Sequence, residues 1–390
     1  MKQNAHSKRI GIAGGGLLGR LCALQLSRAG HRVTVFEANA SPAPAVNSIR
    51  AAAWTAAGML SPVAEMESGG PVVRDLGQRS LDLWKEIDQE IRPMLKESIA
   101  DTTHNGQYRF HFERQPHTRD LVVINDHAID EQEDESPLGL RLHDSLMVCH
   151  ASDMGSAQRV LRLLDTTDES VIRLESRDIA PLAPGLKGTL HAWRLRGEGH
   201  LYPHRAMRSF YLATPEVDWR FGQFVDAIRP GVISVGGEPQ QFDWVLDTRG
   251  TGAASDIGVR GVRGELIVLF APGFELNRPV RLLHPRWRVY IVPRPGRQVV
   301  IGATEIESED RSPISVQSTM ELLSAAFSIF PSLAEGRILW SDVNLRPATM
   351  DNMPVINTHD GLSRINGLFR HGWLLAPAVA EKALSDASLC

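Results

Sequence analysis

The feature that most constrains this chain is its opening unit, RIGIAGGGLLGRLCALQLSRAGHRVTVFEAN, which begins at Arg9. A short apolar run meets a glycine cluster, then a helical pattern (Leu18, Leu21, Cys22, Leu26), a Gly-His break and a second apolar run ending at Glu37. That order reads as strand, tight turn, helix and parallel strand, the start of a doubly wound α/β sheet. Gly14, Gly16 and Gly19 keep the spacing of a dinucleotide-binding turn, and Glu37 follows Gly14 by 23 residues at the end of the second strand. The first glycine permits the turn, the second lets a pyrophosphate reach the backbone, and the third lets helix and strand pack closely. The helix start then faces phosphate charge. Glu37 is placed to accept hydrogen bonds from ribose hydroxyls, which favours a cofactor lacking a 2'-phosphate. A nucleoside-triphosphatase loop is the near miss, but Arg20-Leu21 stand where its Lys-Ser/Thr pair is required. The motif alone does not separate FAD from NAD.

At 390 residues the chain is long enough for two or three domains. Its 43% hydrophobic and 23% charged residues place it among soluble globular proteins. The net charge of -4 gives no reason to expect nucleic acid or an anionic membrane as partner. Cys22, Cys149 and Cys390 are too far apart for a metal knuckle or a redox pair. Free thiols in a reducing compartment are the simpler reading, and the polar first nine residues carry no leader pattern, so a cytoplasmic location is expected. No metal site is expected: His200 and His204 are four apart, but Pro203 between them is read as interrupting a helix.

Further along, residues 50–62 (RAAAWTAAGMLSP) are small and aperiodic, suited to running close to a ligand. Helical spacing covers 74–98, with Leu76, Leu81, Leu83, Trp84, Ile87 and Ile91 as core candidates. Residues 108–124 read as strand and the acidic run 126–135 as a solvated face. A loop, short helix and strand follow over 197–225, then a buried strand over 242–252 that ends in glycines. GELIVLF, RVYIVPR and QVVIGAT, between 259 and 304, read as antiparallel strands. A helix over 317–329, a strand at 364–370 and a final helix from about Pro377 complete the chain. Two interleaved domains fit this alternation better than two consecutive ones. The helix start after Gly367 could also stabilise negative charge on the pyrimidine end of a reduced flavin.

These segments together resemble a known family, the FAD-dependent amine and D-amino-acid oxidases, and most of all the glycine oxidases of thiamine biosynthesis. The likeness rests on GIAGGGLLG with Glu37, AAAWTAAGML at 51–60, GEGHLYPHRA near 200, VRGVRGELIVL near 260, VYIVPRPGRQVVIGATE at 289–305, NLRPATMDNMPVI at 344–356 and LFRHGWLLAPA at 368–378. Residues 85–195 match poorly. The resemblance implies a glutathione-reductase-like FAD-binding Rossmann domain (1–80, 140–165, 197–255 and 335–390) interleaved with a mixed-sheet α+β substrate domain (81–139, 166–196 and 256–334).

Carried over by position, it implies that Leu17, Leu18, Glu37 and Ala38 contact the adenosine-diphosphate half of FAD, with Val225 near the adenine. Ala52, Ala53, Ala57, Gly58 and Met59 would pass the flavin, Gly250 would end a strand beside the cofactor, and Leu368, Phe369, Arg370, His371, Gly372, Trp373 and Leu374 would edge the isoalloxazine. Arg346 matches the arginine that clamps the substrate carboxylate and Tyr290 the pocket tyrosine, with Met59 and Arg370 lining the same pocket. A planar guanidinium fork suits a carboxylate, and an apolar wall of Met59 and Trp54 would favour a neutral amine by desolvation.

The implied activity is FAD-dependent oxidative deamination of glycine or another small amino acid or secondary amine, with oxygen reduced to hydrogen peroxide. The implied partners are that substrate and oxygen, noncovalent FAD being the cofactor, and a homo-oligomer is allowed. A dehydrogenase using another acceptor and a non-catalytic flavin-binding assembly protein remain the alternatives. Several residues depart from the family pattern: Thr248-Arg249-Gly250 replaces a small Ala-x-Gly, and Arg288, Glu305, Asn344 and His371 alter the pocket. Arg249 is read as neutralising the FAD diphosphate.

Overall fold

The computed structural model describes residues 7–46, 48–102, 136–164, 169–188 and 190–390. The expected strand at 108–124 and the acidic run at 126–135 lie outside the described residues. Two sheets organise the rest. The first has six strands in the order Val355–His359, Leu362–Asn366, Trp244–Asp247, Arg9–Ala13, Arg32–Glu37, Asp218–Phe221. All neighbours are parallel except the first two, which form a hairpin. Period-two alternation sends Ile10 and Ile12 into a core shared with helices Leu17–Arg28, Pro203–Leu212 and Gly372–Asp386. Ala13 faces the opposite side, against a three-stranded meander (Val225–Arg229, Val232–Val235, Glu238–Gln241).

The second sheet has eight strands in the order Arg337–Ala348, Arg260–Phe270, Gln298–Gly302, Arg288–Arg294, Val280–Leu283, Ser145–Cys149, His191–Leu195, Val171–Leu174. Its one parallel pair joins Val280–Leu283 to Ser145–Cys149, and the three strands read between 259 and 304 are antiparallel neighbours. Ile267, Leu269, Val289 and Ile291 face helix Val316–Ile329, whereas Leu266, Val268, Tyr290 and Val292 face Ala57 and Met59 from the first unit. Alternation therefore gives this sheet one structural face and one face turned toward the phosphate-binding turn.

The sequence division differs from this arrangement at three segments. Strands Arg337–Ala348 and Ser145–Cys149, assigned to the first unit, belong to the eight-stranded sheet. Helix Met66–Thr102, which the division cuts at residue 80, packs through Trp84, Ile87 and Ile91 into the core of the first sheet. The meander strands and those at 145–149, 171–174 and 191–195 are four or five residues each, too short for their periodicity to stand out.

Two prolines were misread. Pro203 does not interrupt a helix but begins one, where its missing N–H costs nothing. Pro377 does not begin the last helix, which starts five residues earlier at Gly372. An internal proline deprives the carbonyl four residues back of its donor. That carbonyl belongs to Trp373, and the Trp84 indole N–H donates to it at 2.9 Å, so the long helix repairs the gap. The strand expected through Arg370 ends at Asn366, because Gly367 turns the chain at a φ of 76°.

Candidate functional site

The two units enclose a cleft of about 1240 Å³. At one end is the glycine turn. Gly14 has a φ of 100°, and a Cβ there would lie 2.8 Å from the Thr248 carbonyl oxygen. A Cβ on Gly19 would lie 1.9 Å from the Gly14 carbonyl oxygen, so this glycine serves helix-to-strand contact and faces away from the cleft. Gly16, Leu17 and Leu18 line the cleft at the start of helix Leu17–Arg28, whose first N–H groups have no intrahelical acceptor. Glu37 is set at the rim by three donors, the backbone N–H of Gly15 at 2.7 Å and the Asn39 N–H and side-chain amide at 2.9 and 2.8 Å. A backbone cradle that admits no Cβ, a helix start and a fixed carboxylate fit the phosphate and ribose groups of FAD.

Ala38, Ala52, Ala53, Ala57, Gly58, Met59, Val225 and Gly250 line the same cleft, as does the run Leu368 to Leu374. The second helix start, at Gly372, opens onto it behind a 3-10 turn in which Phe369 holds a φ of 48°. Of the residues read as cofactor or site contacts, Gly19 and Trp54 are not in the lining. Trp54 was read as a pocket wall and is not one: it lies in the core, 5.6 Å from the Arg20 guanidinium and 5.4 Å from the His204 ring. Arg249 is likewise reassigned. It makes a two-point contact with Asp247 at 2.9 and 2.8 Å and also pairs with Asp256, so two carboxylates already balance its charge.

The other end of the cleft is built on the eight-stranded sheet. Register places Arg281 opposite Tyr290, Tyr290 opposite Gly302 and Gly302 opposite Leu266, in one row across four strands. Two glycines make room on this face. A Cβ on Gly302 would meet the Tyr290 hydroxyl at 2.7 Å, and one on Gly264 would meet the Arg346 Cζ and Nη2 at 2.4 Å. The Arg346 guanidinium therefore lies over bare backbone. Its Nη1 donates to the carbonyls of Thr304 at 3.0 Å and Arg263 at 3.3 Å. Among the described residues, Nε and Nη2 make no hydrogen bond, and no carboxylate lies within ion-pair distance of the group. Burial pulls its pKa below the usual guanidinium value, a penalty that a bound carboxylate would relieve. Burial pushes the Tyr290 hydroxyl upward, so it stays a neutral donor.

Next to Arg346 one wall is ionic, while the expected apolar wall keeps Met59, packed with Tyr290, and lacks Trp54. Glu65 is buried and receives Arg281 at 2.6 Å, Arg370 at 3.0 Å and His371 Nδ1 at 3.1 Å. Burial alone would raise the Glu65 pKa, but Arg370, Arg281 and His371 overcome it and hold the carboxyl well below the usual range. Arg370 also pairs with Glu305 at 3.1 Å, Arg288 with Glu67 at 2.8 Å and Arg286 with Glu321 at 2.9 Å. Among the described residues, Arg346 is the guanidinium of this group without an acid. Sequence reasoning missed Glu65, Arg281, Gly264 and Gly302. An arginine inside the apolar strand Val280–Leu283 and a glycine inside Arg260–Phe270 were the available signals. Of the histidine pair, His204 meets the Trp54 carbonyl at 2.9 Å, and His200 is buried in a strand pairing with Met59.

A doubly wound dinucleotide unit, a mixed sheet over it and the Arg346 guanidinium between them define a flavin-dependent oxidoreductase. The model of the DAO family of FAD-dependent oxidoreductases matches residues 9–385, and the chain belongs to that family. Within it the protein is of the glycine oxidase and ThiO type. It is 31% identical over 374 residues to the putative thiamine biosynthesis oxidoreductase ThiO of Rhizobium etli, covering 95% of this chain and 94% of the relative. It is 25% identical over 393 residues to a glycine oxidase of Bacillus licheniformis, covering 95% and 90%. The crystal structure of glycine oxidase from Geobacillus kaustophilus superposes with a TM-score of 0.76 at 23% identity, over 98% of this chain and 95% of that one. Among the described residues no helix is long and apolar enough to cross a membrane.

Proposed function

We propose that this enzyme oxidises glycine or another small amino acid or secondary amine to an imine, which water hydrolyses to the 2-oxo acid and ammonia or amine, with oxygen reduced to hydrogen peroxide. Service to thiamine biosynthesis is part of the proposal and draws on the Rhizobium etli relative. The observation that carries the reading is the Arg346 guanidinium, held by two backbone carbonyls and left with Nε and Nη2 unpaired in the cleft. An edge with two aligned N–H donors is the complement of one carboxylate.

When bound, FAD supplies the two-electron acceptor. Gly14, Gly16, Leu17, Leu18, Glu37 and Ala38 would hold its adenosine-diphosphate half. Ala52, Ala53, Ala57, Gly58 and Met59, with Leu368 to Leu374, would flank its ring. Arg346 fixes the carboxylate, so the α carbon is presented in one orientation, and orientation accounts for most of the catalysis. Tyr290, kept protonated, donates beside it. Met59 closes the apolar side with Tyr290. Desolvation on the Met59 side favours a neutral amine, whose lone pair then assists departure of the α hydrogen as hydride. No side chain need act as a base.

The test is spectroscopic. The purified flavoprotein is mixed anaerobically with glycine, sarcosine and D-alanine, and air is then admitted. Bleaching followed by recovery with peroxide is expected. Bleaching without prompt recovery would assign another acceptor, and no bleaching with any amine would overturn the proposal.

A further inference from the structure

Arg249 is committed to Asp247 and Asp256, so it brings no free positive charge to the phosphate end of the cleft. Arg50 is not free either, because Asp342 holds it. Arg311 also lines the cleft and, among the described residues, has no carboxylate within ion-pair distance. Its side chain makes two weak contacts, to the Asn344 amide oxygen at 3.5 Å and the Thr251 hydroxyl at 3.3 Å. Those two partners locate it. Thr251 follows Gly250 in the turn after strand Trp244–Asp247. The Asn344 amide donates to the carbonyls of Arg50 at 3.1 Å and Ala51 at 3.4 Å, and a Cβ on Gly16 would touch the Ala51 Cβ at 3.3 Å. Arg311 therefore sits over the cleft across from the start of helix Leu17–Arg28.

The backbone beneath it is fastened. The buried Arg263 guanidinium is fixed by Glu265 at 2.9 and 2.6 Å, and it donates to the carbonyl of Asp310 at 2.8 Å and of Pro313 at 2.9 Å, on either side of Arg311. Gly261 N–H donates to Glu309 at 2.7 Å in the same loop. So a loop that carries an exposed, unpaired arginine over the cofactor cleft is anchored by a buried one.

We propose that Arg311, not Arg249, supplies the side-chain positive charge that faces the FAD diphosphate. The inference rests on the family's cofactor and not on the proposed substrate. Because Arg311 is solvent-exposed, its contribution is electrostatic, modest and screened by salt.

The full-length protein freed of flavin is titrated with FAD and with riboflavin, which has the same ring and no diphosphate, in wild type and Arg311→Gln. The FAD dissociation constant is expected to rise about tenfold at low ionic strength, and the difference should shrink as salt is added. Riboflavin affinity should not change. Unchanged FAD affinity would overturn the proposal. So would an equal loss for FAD and riboflavin, or a loss that persists at high salt, since either would mark loop packing rather than phosphate charge. None of these readouts depends on turnover of an amine.

Discussion

Gly264→Ala adds one methyl group, and the structure says where it goes. The new Cβ would lie 2.4 Å from the Arg346 Cζ and Nη2 and 2.6 Å from Nη1. Ordinary contact requires a retreat of about 1 Å, and the mobile partner is the far end of the arginine, not the sheet backbone. Nη1 then loses the geometry of its bonds to Thr304 and Arg263. Misplacing a positioning group by about 1 Å costs about 10²-fold in rate, or roughly 2.7 kcal/mol of transition-state stabilisation. Folding should change by less than about 1 kcal/mol, because only a side-chain end must move. The assay is kcat/KM for whichever amine bleaches the flavin, with urea unfolding and the visible spectrum of bound FAD as controls. Gly302→Ala provides the comparison, since its Cβ would displace Tyr290 instead. Unaltered kcat/KM in Gly264→Ala, with FAD bound, would refute the reasoning that Arg346 works from its seat over this glycine.

Arg346→Leu should lower kcat/KM by about 10³-fold through loss of two charge-assisted hydrogen bonds while FAD stays bound, and activity retained in the variant would remove Arg346 from the site. Glu65→Gln strips the shared acid from Arg281 and Arg370, so urea unfolding should show a loss of about 3–5 kcal/mol; an unmoved midpoint would mean the cluster does not stabilise the fold. His200 is buried with neither ring nitrogen paired, and burial followed by the Arg294, Arg141 and His143 charges holds its pKa well below normal. The folded ring is neutral while the unfolded one takes up a proton below pH of about 6.5, so its contribution to stability is whole above that pH and declines as pH falls, by up to about 1.4 kcal/mol per unit. Replacing His200 with Leu should flatten that decline in urea titrations, and identical slopes would exclude the histidine as its source.

The sequence carried the opening βαβ unit almost completely, because Gly14, Gly19 and the alternation of Ile10, Ile12, Val33 and Val35 are local signals. It also carried the antiparallel strands around Tyr290 and the lining residues Ala52, Ala53, Ala57, Gly58 and Met59. The partners of those residues were out of its reach. Arg249 meets Asp256, Arg346 lies over Gly264, and Glu65 meets Arg281 and Arg370, and each meeting is made by register or by distant segments of chain. For the same reason Trp54, a plausible wall by its neighbours, turned inward to Arg20. Pro377 was misjudged because only tertiary contact reveals that Trp84 supplies what it withholds, whereas Pro203 at a helix start was a local signal overlooked.

The two bare positions in the eight-stranded sheet also bear on engineering. Glycine inside a strand weakens it, so a hunt for heat-resistant variants scored on melting alone would drift toward substitutions at Gly264 and Gly302. Each such gain would fill the notch in which Arg346 or Tyr290 rests. Tougher protein would then come with a blunted grip on its ligand, and selection has to read both properties at once.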